Sequence, residues 1–196
     1  MSDPWNVDFI LGRNGFVHDH IDLTVVGPEL VTLPFVTSEF CAALIYASEA
    51  SGLFATNPHD PVPAMEVSLK ILSPLLFDRV QEEVGRWVWP QLTKHWPETE
   101  YFGLNDAFVV KYRKGEQEEL RIHHDIAQLS GSVKLNDSYT GAELEFPRQN
   151  FSNSLLPIGT LLVWPGLITH PHRSAPIKSG TKYSLTLWFE LPLQLA

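Results

Sequence analysis

Lys182-Tyr-Ser-Leu-Thr-Leu-Trp-Phe-Glu190 alternates without a break. Tyr183, Leu185, Leu187 and Phe189 fall on one side; Lys182, Ser184, Thr186 and Trp188 fall on the other. Successive side chains of a strand point to opposite faces. One face is therefore apolar and packs on a core. The other carries a cation, two hydroxyls and an indole. A solvated face fits this mixture, and so does the wall of a polar cavity; the histidines just upstream favour the cavity.

Upstream of this strand, short apolar segments alternate with turns back to Ala107. Candidate strands are Ala107–Arg113, Arg121–Ile126, Leu129–Leu135, Ala142–Phe146, Thr160–Val163 and Ile168–Ser174. Regularly spaced short strands read as a sandwich or barrel. The first half differs. The first twenty residues look irregular, and strands are expected at Leu23–Val26 and Leu30–Pro34. Thr37 or Ser38 caps a helix running to about Ser51, with Cys41, Leu44, Ile45 and Ser48 on one stripe. Asn57-Pro-His-Asp-Pro-Val-Pro63 is a loop. A second helix starts near Leu75 and carries Phe77, Val80, Val84 and Val88 on one side. Pro90 ends or kinks it. Helices first and strands later predict a mainly β fold, a cupin-like jelly roll with N-terminal α-helices packed outside. One domain spans 1–196, with helical support over about 37–96 and the jelly-roll core over about 105–192.

Composition narrows the partners. The net charge of −9, with no basic patch, argues against nucleic acid. Cys41 is the single cysteine, so no internal disulfide forms, which fits a reducing compartment. No signal-peptide pattern and no apolar run of membrane-spanning length occurs, so a cytoplasmic protein without membrane contact is expected. Oligomeric state is not legible.

The chemistry concentrates in Arg121-Ile-His-His-Asp125 and Thr169-His-Pro-His-Arg173. His123 and Asp125 share a face of an extended strand. His172 from a later strand completes a set of two imidazoles and one carboxylate, the ligand set of non-haem Fe(II) oxygenases. A lone His-x-Asp is weak, and His20-Ile-Asp22 is a second one, placed before the strand-rich half. His170 shares a strand face with His172, so either could ligate. His172 is preferred because ten residues and one turn at Ser179-Gly180 bring the chain back to Lys182. His124 points away from the pair. His18, His20, His59 and His95 read as surface residues. Lys182 in a partly buried wall needs an anion, and an acidic cosubstrate would supply one, with Ser184 on the same face.

From about Pro61 to Pro192 the chain resembles the 2-oxoglutarate- and Fe(II)-dependent oxygenases. Within them it is similar to the catalytic domain of procollagen lysyl hydroxylases and, more loosely, to prolyl 4-hydroxylases. The resemblance rests on Ala107-Phe-Val-Val-Lys-Tyr-Arg113, Glu116-Gln-Glu-Glu-Leu-Arg-Ile-His-His-Asp125, Val133-Lys-Leu-Asn136, Gly141-Ala-Glu143, Trp164-Pro-Gly-Leu-Ile-Thr-His-Pro-His172 and Gly180-Thr-Lys-Tyr183. It implies a double-stranded β-helix, Fe(II) on His123, Asp125 and His172, and 2-oxoglutarate salt-bridged through its far carboxylate to Lys182. Ser184 and Tyr112 are implied as further cosubstrate contacts. Lysyl hydroxylases carry arginine at the place of Lys182; prolyl hydroxylases carry lysine. O2 is the co-reactant, succinate and CO2 the co-products, and ascorbate an expected auxiliary. Halogenating relatives leave the carboxylate's place to a halide, so Asp125 favours hydroxylation.

The substrate is read as a free amino acid or a residue of a peptide or protein. Arg173, Glu143, Glu145, Trp164 and Trp188 are candidates to line its pocket. Glu143 or Glu145 would meet an ammonium and Arg173 a carboxylate. Two other readings stand beside hydroxylation: desaturation or cyclisation on the same iron, and a non-catalytic jelly roll that binds a metal.

Overall fold

The computed structural model describes residues 15–19 and 21–191. Most of the irregular start, including His20, lies outside them. The strands are β1 (Thr24–Gly27), β2 (Leu30–Pro34), β3 (Ala55–Thr56), β4 (Met65–Ser68), β5 (Leu104–Arg113), β6 (Leu120–His123), β7 (Leu129–Lys134), β8 (Tyr139–Gly141), β9 (Leu144–Phe146), β10 (Phe151–Ser152), β11 (Thr160–Pro165), β12 (His172–Ser174) and β13 (Ile177–Phe189). The helices are α1 (Ser38–Ser51), α2 (Leu69–Leu72), α3 (Pro74–Glu83) and α4 (Trp89–His95).

Two antiparallel sheets result. The large one runs β1-β2-β11-β7-β13-β5-β4-β3, with β8 on the leading half of β13; the small one runs β10-β9-β12-β6. β13 lies between β5 and β7, with Leu185 opposite both Val109 and Val133. Its apolar face behaves as the alternation predicts. Leu185, Leu187 and Phe189 are buried in one core with Phe40 and Leu44 of α1 and Phe77 and Val80 of α3. The opposite face of the large sheet looks toward the small sheet, where Leu30, Leu162 and Trp164 pack on Leu144 and Phe146. Helices, large sheet and small sheet form three layers, a mainly β jelly roll with its helices outside.

The helical layer follows local signals. Phe40 N–H donates to Thr37 Oγ1 at the start of α1 (3.2 Å), and Gly52, with φ 64°, closes its end. Ser48 is fully buried, as its place on the stripe requires, whereas Ile45 is only partly covered. Phe77, Val80, Val84 and Val88 form the buried stripe of the second helix. Pro90 does not end it. A π-helical turn over Val84–Val88 intervenes, with Trp89 N–H reaching back to the Val84 carbonyl, and Pro90 enters the first turn of α4. There its missing N–H costs nothing. His18, read as a surface residue, is partly exposed and has a buried partner: its Nε2 lies 2.7 Å from Glu83, which Arg79 also pairs (2.6 Å). No helix among the described residues is long and apolar enough to cross a membrane.

Because Leu185 is fully buried between the large sheet and the helices, Leu185→Ala is expected to lower stability by about 2–5 kcal/mol. Urea denaturation reads this as a lower midpoint with an unchanged slope.

Candidate metal centre

β6 and β12 are antiparallel neighbours in the small sheet, and His123 stands directly opposite His172. Their rings are 4.4 Å apart. β6 ends at His123, so Asp125 lies in the following loop rather than on a strand continuing to Ile126. The loop is held by backbone: Asp125 N–H donates to the Gly166 carbonyl (3.0 Å), and Gly166 N–H donates to the Gln128 carbonyl (3.3 Å). A Cβ at position 166 would collide with the Ala127 carbonyl. Glycine there lets two loops approach and swing Asp125 under the histidines.

The three side chains converge. Their donor atoms lie within 4.8 Å of one another. His123 Nε2 is 3.6 Å from one Asp125 oxygen and His172 Nε2 is 3.6 Å from the other. Each Nδ1 lies against a backbone carbonyl, Arg121 for His123 (2.9 Å) and His170 for His172 (3.0 Å). A carbonyl only accepts, so Nδ1 holds the proton and the Nε2 lone pair faces Asp125. Burial pushes His172 down to about 4 despite the Asp125 charge, which keeps a neutral imidazole. Asp125 is 5% exposed, and its Oδ2 has no hydrogen-bond donor. An orphaned buried carboxylate is costly, and a divalent ion removes that cost. Two oriented imidazoles and one carboxylate fit such an ion.

His170 stands apart. β12 begins only at His172, so the two do not share a strand face. His170 Nε2 contacts the Pro28 carbonyl (3.0 Å) and its Nδ1 the Thr169 hydroxyl (2.9 Å). His124 is exposed at the cavity mouth.

Across the cavity, on the large sheet, Lys182 is 3% exposed. Its Nζ donates to the Ala142 carbonyl (2.6 Å) and to Ser174 Oγ (3.3 Å), and lies 4.8 Å from the Tyr112 ring centre. Gly141 and Ala142 both take left-handed backbone (φ 77° and 55°), breaking the strand where that carbonyl is needed. No carboxylate lies within ion-pair distance of Nζ among the described residues. Burial pushes Lys182 down to about 7, with the Glu143 charge opposing. Tyr112 is directly opposite Lys182 on β5, and burial pushes its phenol up to about 12. Ser184 shares the face. Ser174 escaped the sequence reading, although its place two residues after His172 on the same strand was the available signal.

The space between the sheets is a cavity of about 700 Å³. His123, Asp125, His172, Tyr112, Lys182 and Ser184 all line it. So do Trp164 and Trp188, each with a buried Nε1 that has no acceptor. The other three substrate candidates do not. Arg173 lies between two inward residues of β12 and therefore points outward, where its Nε donates to Glu145 Oε2 of β9 (2.8 Å). Glu143 is half-buried and also outside the lining. The carboxylates on the wall besides Asp125 are Asp60 and Glu66, from the proline-flanked loop and β4. Four residues of β4 were too short a pattern to read as a strand.

No protein-family model matches the chain. In sequence it is 26% identical to the multifunctional procollagen lysine hydroxylase and glycosyltransferase of Rattus norvegicus, over an alignment covering 87% of this chain and 26% of that protein. It thus spans about a quarter of the length of the curated relatives it matches. In structure it superposes on the collagen prolyl hydroxylase of Paramecium Bursaria Chlorella virus-1 in its 2-oxoglutarate complex, with TM-score 0.64 and 16% identity, covering 84% of this chain and 97% of that one. A Trichoplax adhaerens prolyl hydroxylase in complex with a hypoxia inducible factor peptide gives TM-score 0.62 and 15% identity, covering 83% of each chain. The fold is the double-stranded β-helix of 2-oxoglutarate- and Fe(II)-dependent oxygenases, and the sequence is similar to that of procollagen lysyl hydroxylases.

Two outcomes follow from the geometry. Lys182 titrates near 7 when folded and near its ordinary 10.5 when unfolded. Between those values the unfolded chain binds the extra proton, so stability rises with pH there; below about 7 the full penalty of the buried charge remains. Lys182→Met is therefore expected to raise the stability of the ligand-free protein near pH 6 by about 1–4 kcal/mol. That gain should shrink toward pH 10 in urea titrations at both pH values. Gly166→Ala, which moves the Asp125 loop, is expected to weaken metal binding about 10–100-fold in a competition titration with a chromophoric chelator.

Proposed function

We propose that this chain is an Fe(II)- and 2-oxoglutarate-dependent dioxygenase that hydroxylates an unactivated C–H of an amino acid, free or within a peptide or protein. The observation that carries this reading is one cavity with His123, Asp125 and His172 on one sheet and a buried, carboxylate-free Lys182 on the other. His123, Asp125 and His172 would hold the iron. Lys182, with Tyr112 and Ser184, would receive the far carboxylate of 2-oxoglutarate. When bound, iron and 2-oxoglutarate supply the oxidation: one atom of O2 enters the substrate C–H as hydroxyl, the other enters succinate, and CO2 leaves.

The chain's own residues orient these partners and keep the site dry. Backbone carbonyls at Arg121 and His170 fix both imidazoles in the ligating tautomer. Phe146 and Trp164 pack on His172 with ring centres 5.3 and 5.0 Å away, excluding water from that side. Lys182 argues against a non-catalytic module. A buried cation without an anionic partner destabilises a fold, and a dicarboxylate cosubstrate is what compensates it here.

A residue presented on a peptide suits the mouth. Ile122 and Ile126 line it while remaining 51% and 75% exposed, an apolar rim able to meet flanking chain. The structurally similar enzymes include one named for collagen and one bound to a hypoxia inducible factor peptide, which supports a peptide substrate.

Anaerobic addition of Fe(II) and 2-oxoglutarate is expected to give a visible charge-transfer band that Asp125→Ala abolishes. Substrate-stimulated succinate release across free amino acids and short peptides then separates the two substrate forms by a product one oxygen heavier. No band in the wild-type protein would sink the reading.

A further inference from the structure

Trp164 adjoins the metal centre through His172. It is 2% exposed and lines the cavity. Its indole meets the His172 ring at 5.0 Å and the Phe146 ring at 5.1 Å, both edge to face. On β11 it stands opposite Ser130 of β7, which stands opposite Trp188 of β13. Directly opposed residues of antiparallel strands share a face. These three therefore form one row on the cavity side, while Val163 turns into the core beneath the helices. A Cβ on Gly166 would lie 3.1 Å from Ser130 Oγ as well as against the Ala127 carbonyl. The Asp125 loop thus crosses the row at Ser130, with one indole on each side of it.

An indole N–H donates and cannot accept. Trp164 Nε1 is buried, and no described residue accepts its hydrogen. Its apolar neighbours Leu30, Leu144, Phe146 and Leu162 offer no acceptor side chain. A buried donor left unpaired is costly, and native structures rarely keep one. Asp125 Oδ2 is the complementary orphan: it lacks a donor and lies 3.6 Å from His172 Nε2. Both unpaired groups therefore adjoin the same imidazole. A divalent ion satisfies the carboxylate oxygen and leaves the N–H as it is. The N–H needs an oxygen, and an oxygen carried on that ion next to His172 supplies one. The hydrogen bond is stronger when that oxygen is anionic. A neutral donor suits the place, because a cationic side chain would meet the charge of the metal there.

We infer that Trp164 Nε1–H donates to the metal-bound carboxylate of 2-oxoglutarate, which makes Trp164 a cosubstrate-binding residue rather than a wall of the substrate pocket. The inference rests on the dioxygenase reading and gives its cosubstrate a second anchor. Lys182 holds the far carboxylate from β13, and Trp164 fixes the reacting 2-oxo acid end from β11. Strand β12 touches both anchors, Lys182 through Ser174 and Trp164 through His172.

Two measurements on the full chain test this. In the first, the isotope-labelled protein carries Zn(II), which is diamagnetic, and its indole N–H resonances are followed by NMR as 2-oxoglutarate is added. The Trp164 resonance is assigned through its Overhauser contacts to the His172 ring, so this arm needs no variant. It is expected to move downfield with 2-oxoglutarate, as a proton does on entering a charge-assisted hydrogen bond, and not with Zn(II) alone. In the second, the anaerobic Fe(II) protein is titrated with 2-oxoglutarate through the charge-transfer band. Trp164→Phe keeps an aromatic ring against His172 and removes the N–H. It is expected to weaken 2-oxoglutarate binding about tenfold. The band is expected at shorter wavelength, because the lost hydrogen bond no longer lowers the acceptor orbital of the oxo acid. Affinity for the metal alone is expected to stay at the wild-type value. An indole signal unmoved by 2-oxoglutarate, one already moved by Zn(II) alone, or a variant whose band and 2-oxoglutarate affinity equal those of the wild type overturns the inference. So does a variant that loses metal affinity in the same proportion, since the ring then acts only by holding His172. No band in the wild-type protein marks failure of the dioxygenase reading, and the inference falls with it.

Discussion

β13 must bury Leu185, Leu187 and Phe189 under the helices while carrying Lys182 and Ser184 on its other side. Both demands are met only if a second sheet covers the polar face without filling it. The small sheet does this, and the space left between the sheets is the cavity. The Lys182 ammonium is the most demanding group in it. Two hydrogen bonds and the Tyr112 ring satisfy it in part, and burial still lowers its affinity for a proton. An anionic cosubstrate, as proposed above, would complete it and tie the architecture to the chemistry.

The metal centre depends on the same closure. His123 and His172 meet because β6 and β12 pair in register. Asp125 joins them because Gly166 lets the loop after β11 lie against the loop after β6. Ser174, two residues beyond His172, touches Lys182. The strand that carries His172 and the buried Lys182 are thus one hydrogen bond apart, so displacing the small sheet would disturb both together. Charge is separated along the large sheet, with Lys182 on the central strand β13 and Glu66 two strands away.

Much of this was legible in the sequence where residue type and period agree. The alternation of 182–190 specified both faces of β13, and the imidazole–carboxylate set pointed to its own chemistry. Reading failed where sides and partners are decided by register between distant strands. Arg173 and Glu145 were candidates for the cavity, but β12 starts at His172, so position 173 faces out and pairs with Glu145 instead. Glu66 and Asp60 were passed over because β4 has four residues and its inward side is set by pairing with β5. His18 looked like a surface histidine because its partner, Glu83, is 65 residues away. Pro90 was read as ending or kinking the helix; the π-helical turn that carries the chain past it has no simple sequence signature.

The most direct test of the account is a crystal structure of the protein with Mn(II) and 2-oxoglutarate, with the metal located by anomalous scattering. The account predicts an anomalous peak within about 2–2.5 Å of His123 Nε2, His172 Nε2 and an Asp125 oxygen. It also predicts the far carboxylate of 2-oxoglutarate against Lys182 Nζ. A peak elsewhere, or a cosubstrate whose far carboxylate avoids Lys182, would contradict it.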